Sequence, residues 1–267
     1  MADASSSDSQ GCILSRRDGT VAIVTLSHPG RLNAITVAMW RELSAVVTRL
    51  GTQEGLRAII VEGAGGNFAA GADIREFPKE RADLDSVFRY HEEILAPALH
   101  ALAHCPVPTI AAIEGVCVGG GLEIACSCDL RIAGRSATFG APINRLGFPM
   151  APEELSTILR VANRTVALEL LLEGRVIPAS DAAAKGLLTR IVEDGTAFDQ
   201  AWQSAKAIGR GAVLAARWNK ASLNRLCPVA EPMSREERLA FYTAWAESAD
   251  HREGVRAFLE KRPPEFS

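Results

Sequence analysis

The stretch of sequence that could do chemistry runs from Thr109 to Asp129 and combines an apolar segment, three glycines and a glutamate. The apolar residues 109–113 predict a buried strand, and the residues after Gly119–Gly121 predict a short helix. A helix that begins directly after such a turn presents free backbone N–H groups to an anionic atom, and glycine lets a ligand approach the backbone closely. Glu123 lies in the first helical turn, where it either exchanges a proton with the bound group or only complements the helix dipole.

A second glycine-containing loop follows an earlier predicted strand, Ala58–Val61. Gly63, Gly65 and Gly66 end that strand, and the loop continues through the segment Phe68–Ile74. Asp73 in this segment also fits a simple helix N-cap. The chain therefore carries two glycine loops, each of which follows a strand and precedes a helix.

The elements that must position these loops alternate between strands and helices up to residue 192 and are helical from Ala197 onward. We predict an α/β core over residues 11–195, a helical oligomerisation region over residues 196–267 and a disordered tail over residues 1–10. Apolar residues at helical spacing predict a long helix from about Val87 to Leu102. The predicted strands are Val21–Leu26, Ala58–Val61, Thr109–Ile113, Leu130–Ala133, Thr138–Gly140 and Thr189–Val192. The other predicted helices begin near Thr36, after Gly121, at Glu153, at Val166 and at Asp181.

Composition limits the classes of function that the chain can have. The 267 residues carry a net charge of −3, which gives no positive footprint for nucleic acid. No run of about 18 apolar residues predicts a membrane span. The first residues lack the apolar core and the basic start of a signal peptide, so we expect a cytoplasmic protein. Its six cysteines are then expected to be reduced and mostly buried thiols.

Three short motifs approach the spacing of metal ligands without completing a site. Cys126 and Cys128 point to different faces of a predicted helix, and His100 and His104 have no acidic third ligand in register. His91-Glu92-Glu93 is not followed by the second histidine of a zinc-protease motif. We therefore expect no metal site.

Taken together and in this order, the motifs resemble the crotonase superfamily, also called the enoyl-CoA hydratase/isomerase family. The resemblance extends from about Val21 to Phe266. Its markers are Leu32-Asn33-Ala34, Phe68–Ile74, Ile110–Asp129, Phe139–Pro142, Arg252–Gly254 and Phe258–Arg262.

The resemblance implies an α/β fold, a crotonase (ClpP-like) spiral of ββα units around two nearly perpendicular sheets, followed by a C-terminal helical trimerisation region. It implies a homotrimer or a hexamer, with no nucleic-acid or membrane partner. The implied substrate is an acyl-CoA thioester, and no metal or redox cofactor is needed, since coenzyme A enters as part of the substrate. The chemistry shared by the family is the stabilisation of a thioester enolate.

The family's pattern also implies roles for individual residues. The backbone N–H groups of Ala70 and Gly120 are expected to form an oxyanion hole, and Glu123 is expected to be the catalytic acid–base group. Arg31 could meet the CoA phosphates, and Phe258 and Lys261 match positions where a neighbouring subunit contacts CoA, although surface solvation explains Arg31 and Lys261 equally well. The residues that the resemblance assigns to substrate and CoA binding are Arg31, Ala34, Ala70, Gly71, Ala72, Asp73, Ile74, Gly120, Ile143, Phe258 and Lys261.

The sequence departs from the family's pattern at one position that matters for the reaction. The second glutamate of the family's hydratases should follow Phe139–Pro142, and here that residue is Ile143, which cannot move a proton. Three explanations stay open. Glu123 serves alone; or Glu153 or Glu154 enters the pocket from the next helix; or the enzyme runs another enolate reaction, with Ile143 as an apolar wall that raises the pKa of Glu123.

The interpretation that we carry forward is hydration of a 2-trans-enoyl-CoA to a 3-hydroxyacyl-CoA. The alternatives are an isomerase, a decarboxylase or a thioester hydrolase of the same family, and a non-catalytic scaffold that binds CoA or RNA. The isomerase is less favoured than the hydratase, because the lost glutamate is the base of many family isomerases. The sequence does not fix the acyl group, whose pocket depends on the packing of Phe77–Tyr90.

Overall fold

The computed structural model describes residues 10–227 and 233–266. Apart from Gln10, the predicted tail lies outside the described residues. The strands are β1 (Cys12–Asp18), β2 (Val21–Ser27), β3 (Ala58–Gly63), β4 (Thr109–Ile113), β5 (Val116–Val118), β6 (Leu130–Gly134), β7 (Thr138–Gly140), β8 (Val176–Pro178) and β9 (Arg190–Val192). The α-helices are α1 (Val37–Gly51), α2 (Phe77–Glu80), α3 (Leu84–Arg89), α4 (Ala96–Ala103), α5 (Gly120–Ser127), α6 (Pro152–Leu159), α7 (Arg164–Leu172), α8 (Ala179–Ala184), α9 (Ala197–Arg210), α10 (Val213–Leu226), α11 (Arg235–Thr243) and α12 (Ala249–Leu259).

Six strands form the larger sheet, in the order β1-β2-β3-β4-β6-β9. The β1–β2 pair is antiparallel, and every later pair in this sheet is parallel. All five residues of the central strand β4 are buried, as expected for a parallel strand that is covered on both faces. The sequence therefore located the centre of the sheet correctly.

A second sheet contains the three short strands β5, β7 and β8. Strand β5 lies directly before Gly119 and pairs in parallel with β7, so this sheet holds the glycine turn in front of α5. The sequence analysis did not predict β1, β5 or β8. Two of them have only three residues, and β1 is mostly exposed, so none carries the apolar run on which the strand predictions relied.

The long helix predicted from Val87 to Leu102 is interrupted in the structure. Helix α3 is followed by one π-helical turn, Tyr90–Leu95, and then by α4. A π-helical turn inserts one extra residue into the helical repeat and frequently occurs at a functional site. Here it turns Tyr90 and His91 into the interior, where both side chains are buried.

The helices after residue 196 pack on the core in two ways. Helix α9 covers the outer face of the larger sheet, where Ala201 and Ala205 meet Ile60 and Ile110 in a separate hydrophobic cluster. The first helix beyond the predicted boundary thus shares a core with the strands. No helix in the described part of the chain is long and apolar enough to cross a membrane.

Helix α12 returns to the Pro142–Leu146 turn, a 3₁₀ segment that follows β7. The contact depends on two glycines, because a Cβ atom at Gly147 would collide with the Asp250 carbonyl oxygen and a Cβ atom at Gly254 would collide with the Leu146 backbone. This close approach brings the C-terminal residues of the chain to the edge of the cavity described next.

Candidate active site

The two glycine loops meet at a cavity of about 620 Å³, a size typical of small-molecule sites. Lys261 is the one predicted binding residue that does not line it. Phe258 lines the cavity of its own chain, and the implied contact with a neighbouring subunit stays a prediction. The predicted site residues that line the cavity are Arg31, Ala34, Ala70, Gly71, Ala72, Asp73, Ile74, Gly120, Glu123, Ile143 and Phe258.

The backbones of the two loops pack directly against each other where the loops meet, and this close approach requires glycine at several positions. Gly71 has a φ of +96°, and a Cβ atom there would lie 3.2 Å from the Val118 carbonyl oxygen. A Cβ atom at Gly121 would collide with the Ala69 carbonyl group, and one at Gly120 would lie 2.8 Å from the Trp40 ring. Side chains at these positions would push the two loops apart, so the glycines fix the distance between them.

The structure corrects one of the two predicted oxyanion-hole donors. The Ala70 N–H group donates a hydrogen bond to the Leu32 carbonyl oxygen at 2.9 Å, so it is not available to a substrate oxygen. The Ala72 N–H group donates to no acceptor within the described ranges, and its nitrogen lies 3.5 Å from the place that a Cβ atom would take at Gly120. The two donors that converge are therefore those of Ala72 and Gly120.

The marker Leu32-Asn33-Ala34 sets this arrangement. Leu32 and Asn33 both have positive φ angles, 48° and 56°, which turn the Leu32 carbonyl group toward Ala70. The buried Asn33 amide then donates to the carbonyl oxygens of Ala64 and Asn67, each at 2.8 Å. Asn33 thereby ties the loop that follows β3 to the turn before α1.

Glu123 lies in the first turn of α5, is buried and lines the cavity. Burial raises the pKa of its carboxyl group well above the ordinary value, and the nearby Glu154 carboxylate raises it further, while the Arg81 guanidinium opposes the shift. A carboxyl group that keeps its proton near neutral pH can donate that proton to a reacting carbon.

Glu154 also lines the cavity, and it comes from the first turn of α6. It is buried, whereas the adjacent Glu153 lines a different groove on the surface. Ile143 also lines the cavity. The acid that the family's pattern places after Phe139–Pro142 is absent from that position, and the structure brings a carboxyl group in from the neighbouring helix.

His91 contacts Glu154 through a hydrogen bond between its Nδ1 atom and Glu154 Oε1. The imidazole is stacked on the Tyr242 ring at 5.5 Å between centroids, and the Trp245 ring meets it edge-on at 5.8 Å. Burial lowers the pKa of His91, although Glu154 opposes that shift. A neutral imidazole that donates from Nδ1 fixes the orientation of the carboxylate. The sequence analysis had treated His91 only as part of an incomplete zinc motif.

Arg81 is a further residue that the sequence analysis missed. It is buried, lines the cavity, and lies over three aromatic rings, with its Cζ atom 3.7 Å from the centroid of Phe77 and 4.5 Å from the centroids of Tyr90 and Phe148. Burial lowers the pKa of Arg81, while Tyr90, Glu154 and Glu123 favour its charged form. Its position inside the Phe77–Tyr90 segment was the one signal available in the sequence.

The exposed side of the cavity is basic. Arg31, Arg75 and Arg145 are exposed and line it, together with the half-buried Arg262. Asp73 caps the short 3₁₀ helix Ile74–Glu76 and pairs with Arg75 at 2.6 Å. Its N-cap role is thus confirmed. Several guanidinium groups at an open edge suit the phosphates of a large anionic ligand.

The known proteins that this chain resembles in sequence point to one family. The sequence profile of the Enoyl-CoA hydratase/isomerase family matches residues 16–267. The chain is 36% identical over 257 residues to a probable enoyl-CoA hydratase of Mycobacterium bovis, covering 96% of this chain and 97% of that one.

Two crystal structures extend the comparison to the fold. An enoyl-CoA hydratase/carnithine racemase from Magnetospirillum magneticum is 43% identical, with a TM-score of 0.79 over 97% of this chain and 96% of that one. A methylmalonyl CoA decarboxylase complexed with 2S-carboxypropyl CoA is 29% identical, with a TM-score of 0.84 over 96% of this chain and 97% of that one. The similarity therefore covers almost the whole chain in sequence and in structure, while the named reactions differ.

Proposed function

Because the chain belongs to the enoyl-CoA hydratase/isomerase family, we propose that it hydrates a 2-trans-enoyl-CoA to the 3-hydroxyacyl-CoA, with Glu123 and Glu154 as its acid–base pair. Membership of the family and the predicted α/β crotonase fold are both confirmed by the comparisons. The observation that carries the proposal is that the buried carboxyl groups of Glu123 and Glu154 line the cavity in which the Ala72 and Gly120 N–H groups converge.

The oxyanion hole acts on the thioester carbonyl group. When water adds to Cβ, the electrons of the double bond move toward the carbonyl oxygen and give an enolate. The N–H groups of Ala72 and Gly120 are held by the backbone before the reaction begins, so they stabilise that charge with little reorganisation. Loss of one such donor typically slows an enzyme by about 10²- to 10³-fold.

The two carboxyl groups divide the proton transfers between them. Glu154, oriented by His91, takes a proton from the attacking water as the new C–O bond forms at Cβ. Glu123, whose pKa is raised by burial, donates its proton to Cα as the enolate collapses. Pairs of carboxyl groups whose surroundings push their pKa values apart are the common basis of such a division. Ile143 then takes no part in the proton transfers and forms an apolar part of the cavity wall.

The remaining parts of the substrate fit the rest of the cavity. The exposed arginines Arg31, Arg75 and Arg145 suit the CoA phosphates, and the buried residues around Glu123 suit the acyl group. The proposed reaction moves only protons and one water molecule, so it needs no metal or redox cofactor. We further propose the homotrimer or hexamer and the cytoplasmic location that the sequence predicts.

The test is the loss of enoyl-thioester absorbance when the purified protein meets crotonyl-CoA. We expect turnover by the wild type and rates about 10²- to 10⁴-fold lower for Glu123→Gln and for Glu154→Gln. Glu153→Gln is the matched control, because it removes the neighbouring carboxylate that does not line the cavity, and it should keep the wild-type rate.

Each other outcome identifies a different error. A fully active Glu154→Gln would mean that Glu123 works alone. A wild type that binds CoA but hydrates neither crotonyl-CoA nor longer or polar enoyl-CoA substrates would contradict the proposal and favour another enolate reaction or a scaffold.

Decarboxylation is the second candidate, and it is favoured by the apolar wall that Ile143 forms and by the similarity to methylmalonyl CoA decarboxylase. An apolar surface removes water from a carboxylate that is about to leave as CO₂. We rank it below hydration, because decarboxylation needs one proton donor and the cavity holds two carboxyl groups, Glu123 and Glu154, in addition to Asp73, which pairs with Arg75. Release of CO₂ from methylmalonyl-CoA would reverse this order.

A further inference from the structure

Arg81 carries a buried charge that the proposed hydration does not use. Its side chain lines the same cavity as Glu123 and Glu154, and the residue is 6% exposed. Neither its Nε atom nor its Nη1 atom has a hydrogen-bond partner within residues 10–227 and 233–266. Buried polar groups are almost always paired, because an unpaired one loses its hydration without compensation, so these two atoms need an explanation.

The surroundings of Arg81 show which of its atoms can meet a ligand. The rings of Phe77, Tyr90 and Phe148 lie within 4.5 Å of Cζ. Contacts of this kind attract the cation and hold it in place, but a ring face accepts no proper hydrogen bond from the edge of the guanidinium. The guanidinium is therefore held by its aromatic contacts and by the Tyr90 side chain, while the N–H groups at Nε and Nη1 still lack an acceptor.

The charges near Arg81 favour an anion as that acceptor. Burial and Glu154 both raise the pKa of Glu123, which weakens its part in balancing the guanidinium and leaves Glu154 as the main carboxylate that favours the charged form of Arg81. The Oε1 atom of Glu154 already accepts a hydrogen bond from His91 Nδ1. The CoA phosphates suit the exposed side of the cavity, where the guanidinium groups of Arg31, Arg75 and Arg145 lie. The part of an acyl-CoA that could supply an anionic acceptor to Arg81 is therefore the acyl group.

We propose that the acyl group of the substrate carries a carboxylate, and that Arg81 binds this carboxylate through Nε or Nη1. This inference rests on the proposed function for the identity of the ligand as an acyl-CoA, and it adds the substrate class. Arg81 acts as a specificity-determining residue, which binds the substrate away from the bonds that change. It would also exclude acyl groups with a positive charge.

The test compares two saturated ligands that differ only in the end of the acyl chain. Glutaryl-CoA and pentanoyl-CoA both have five acyl carbons, and only glutaryl-CoA ends in a carboxylate. We expect the wild type to bind glutaryl-CoA about 10- to 100-fold more tightly, the range expected for a hydrogen bond to a charged group. Neither ligand has a double bond to hydrate, so the dissociation constants do not depend on turnover.

Two variants assign the preference to Arg81. Arg81→Met keeps an unbranched side chain among the rings and should abolish the preference, while Arg81→Lys keeps the charge and should retain part of it. Arg89→Met is the matched control, because Arg89 is half exposed, pairs with Glu80 and does not line the cavity. This control should keep the wild-type preference.

A wild type that binds glutaryl-CoA no more tightly than pentanoyl-CoA would overturn the inference, whatever the variants do. A preference that survives in a folded Arg81→Met would overturn it as well. If neither Arg81 variant folds, a crystal structure of the wild type with glutaryl-CoA decides, since the carboxylate must lie about 3 Å from Nε or Nη1.

The test is separate from the proposed hydration. A glutaryl preference without turnover of any enoyl-CoA leaves Arg81 as the acyl-group selector and rejects only the reaction. Turnover of crotonyl-CoA without that preference keeps the reaction and rejects the substrate class.

Discussion

His91 and Glu154, which are 63 residues apart in the sequence, share a hydrogen bond between two buried side chains. His91 comes from a π-helical turn between α3 and α4, and Glu154 from the first turn of α6. A carboxylate held in one orientation loses less entropy when it meets its substrate than one that must first be ordered. The pair therefore links the position of three helices to the proposed base of the reaction.

Removal of the imidazole should slow hydration without weakening the binding of CoA. His91→Leu deletes a hydrogen bond to a charged group, and we expect kcat to fall about 10- to 100-fold, while the dissociation constant of a saturated acyl-CoA stays near the wild-type value. His91→Asn, whose amide can donate from a position near Nδ1, should recover part of the rate. Stopped-flow hydration and equilibrium binding give the two quantities.

His100→Leu is the control for the His91 experiment, because His100 is exposed on the following helix and does not line the cavity. It should match the wild type in both measurements. If His91→Leu keeps the wild-type kcat and loses only thermal stability, His91 has a purely structural role.

Glu123 should make the folded protein less stable as the pH rises. Its pKa in the folded state is raised well above the ordinary value of 4.5, so above that pH the folded protein holds a proton that the unfolded chain releases. Stability is then lost as the pH rises from about 4.5 through the raised pKa. Glu123→Gln cannot ionise, so it should have a higher Tm than the wild type at alkaline pH and a smaller advantage near pH 5.

Calorimetry at several values between about pH 5 and pH 9 measures this difference. Glu153→Gln serves as the reference, since Glu153 lies in a surface groove and contributes no buried carboxyl group. A Tm difference between Glu123→Gln and the wild type that stays constant with pH would mean that the pKa of Glu123 is not raised. The same raised pKa predicts that kcat/KM falls on the alkaline side as Glu123 loses its proton.

Many of the strands and helices could be predicted from the sequence, because the residue patterns that predict them are local. The apolar run of β4 and the glycine turn before α5 were both found where the structure has them, and Thr36 was found at the start of α1. Each of these elements depends on a few neighbouring residues whose types allow one main conformation. The same holds for the cap at Asp73.

The site depends on contacts between distant segments, and there the sequence was insufficient. Ala70 and Ala72 are only two residues apart, and the choice between them as the donor is decided by the Leu32 carbonyl group, which comes from a distant part of the chain and accepts the Ala70 N–H. Glu153 and Glu154 are separated by about 100° around a helix, and only the placement of α6 decides which one is buried. The aromatic environment of Arg81 includes Phe148, which lies far along the chain, so the sequence around Arg81 could not reveal it.

The contact between the two glycine loops should not tolerate one added methyl group. In Gly121→Ala the Cβ atom would collide with the Ala69 carbonyl group, so one loop must move and the Ala72 and Gly120 N–H groups would no longer converge. We expect hydration to slow by about 10²- to 10³-fold, the cost of one lost donor, and Tm to fall. Gly209→Ala is the control, because the nearest atom to its Cβ lies at 3.6 Å, and this helical position should be neutral or slightly stabilised. An active Gly121→Ala would show that the loops adjust without losing the donors.

Gly254 joins the C-terminal helix to the cavity, and its replacement should act on binding more than on chemistry. A Cβ atom in Gly254→Ala would collide with the Leu146 backbone and lift α12 from the Pro142–Leu146 turn. Phe258 near the end of α12 and Arg262 just beyond it line the cavity, whereas Glu123 and Glu154 lie on other helices. We therefore expect KM for crotonyl-CoA to rise about tenfold or more, with kcat at saturation much less affected, since the displaced residues bind the ground state and the transition state equally.

Gly209→Ala again controls for the added methyl group. Steady-state kinetics separate the two quantities, and a fall in kcat with unchanged KM would show instead that α12 positions the reacting groups.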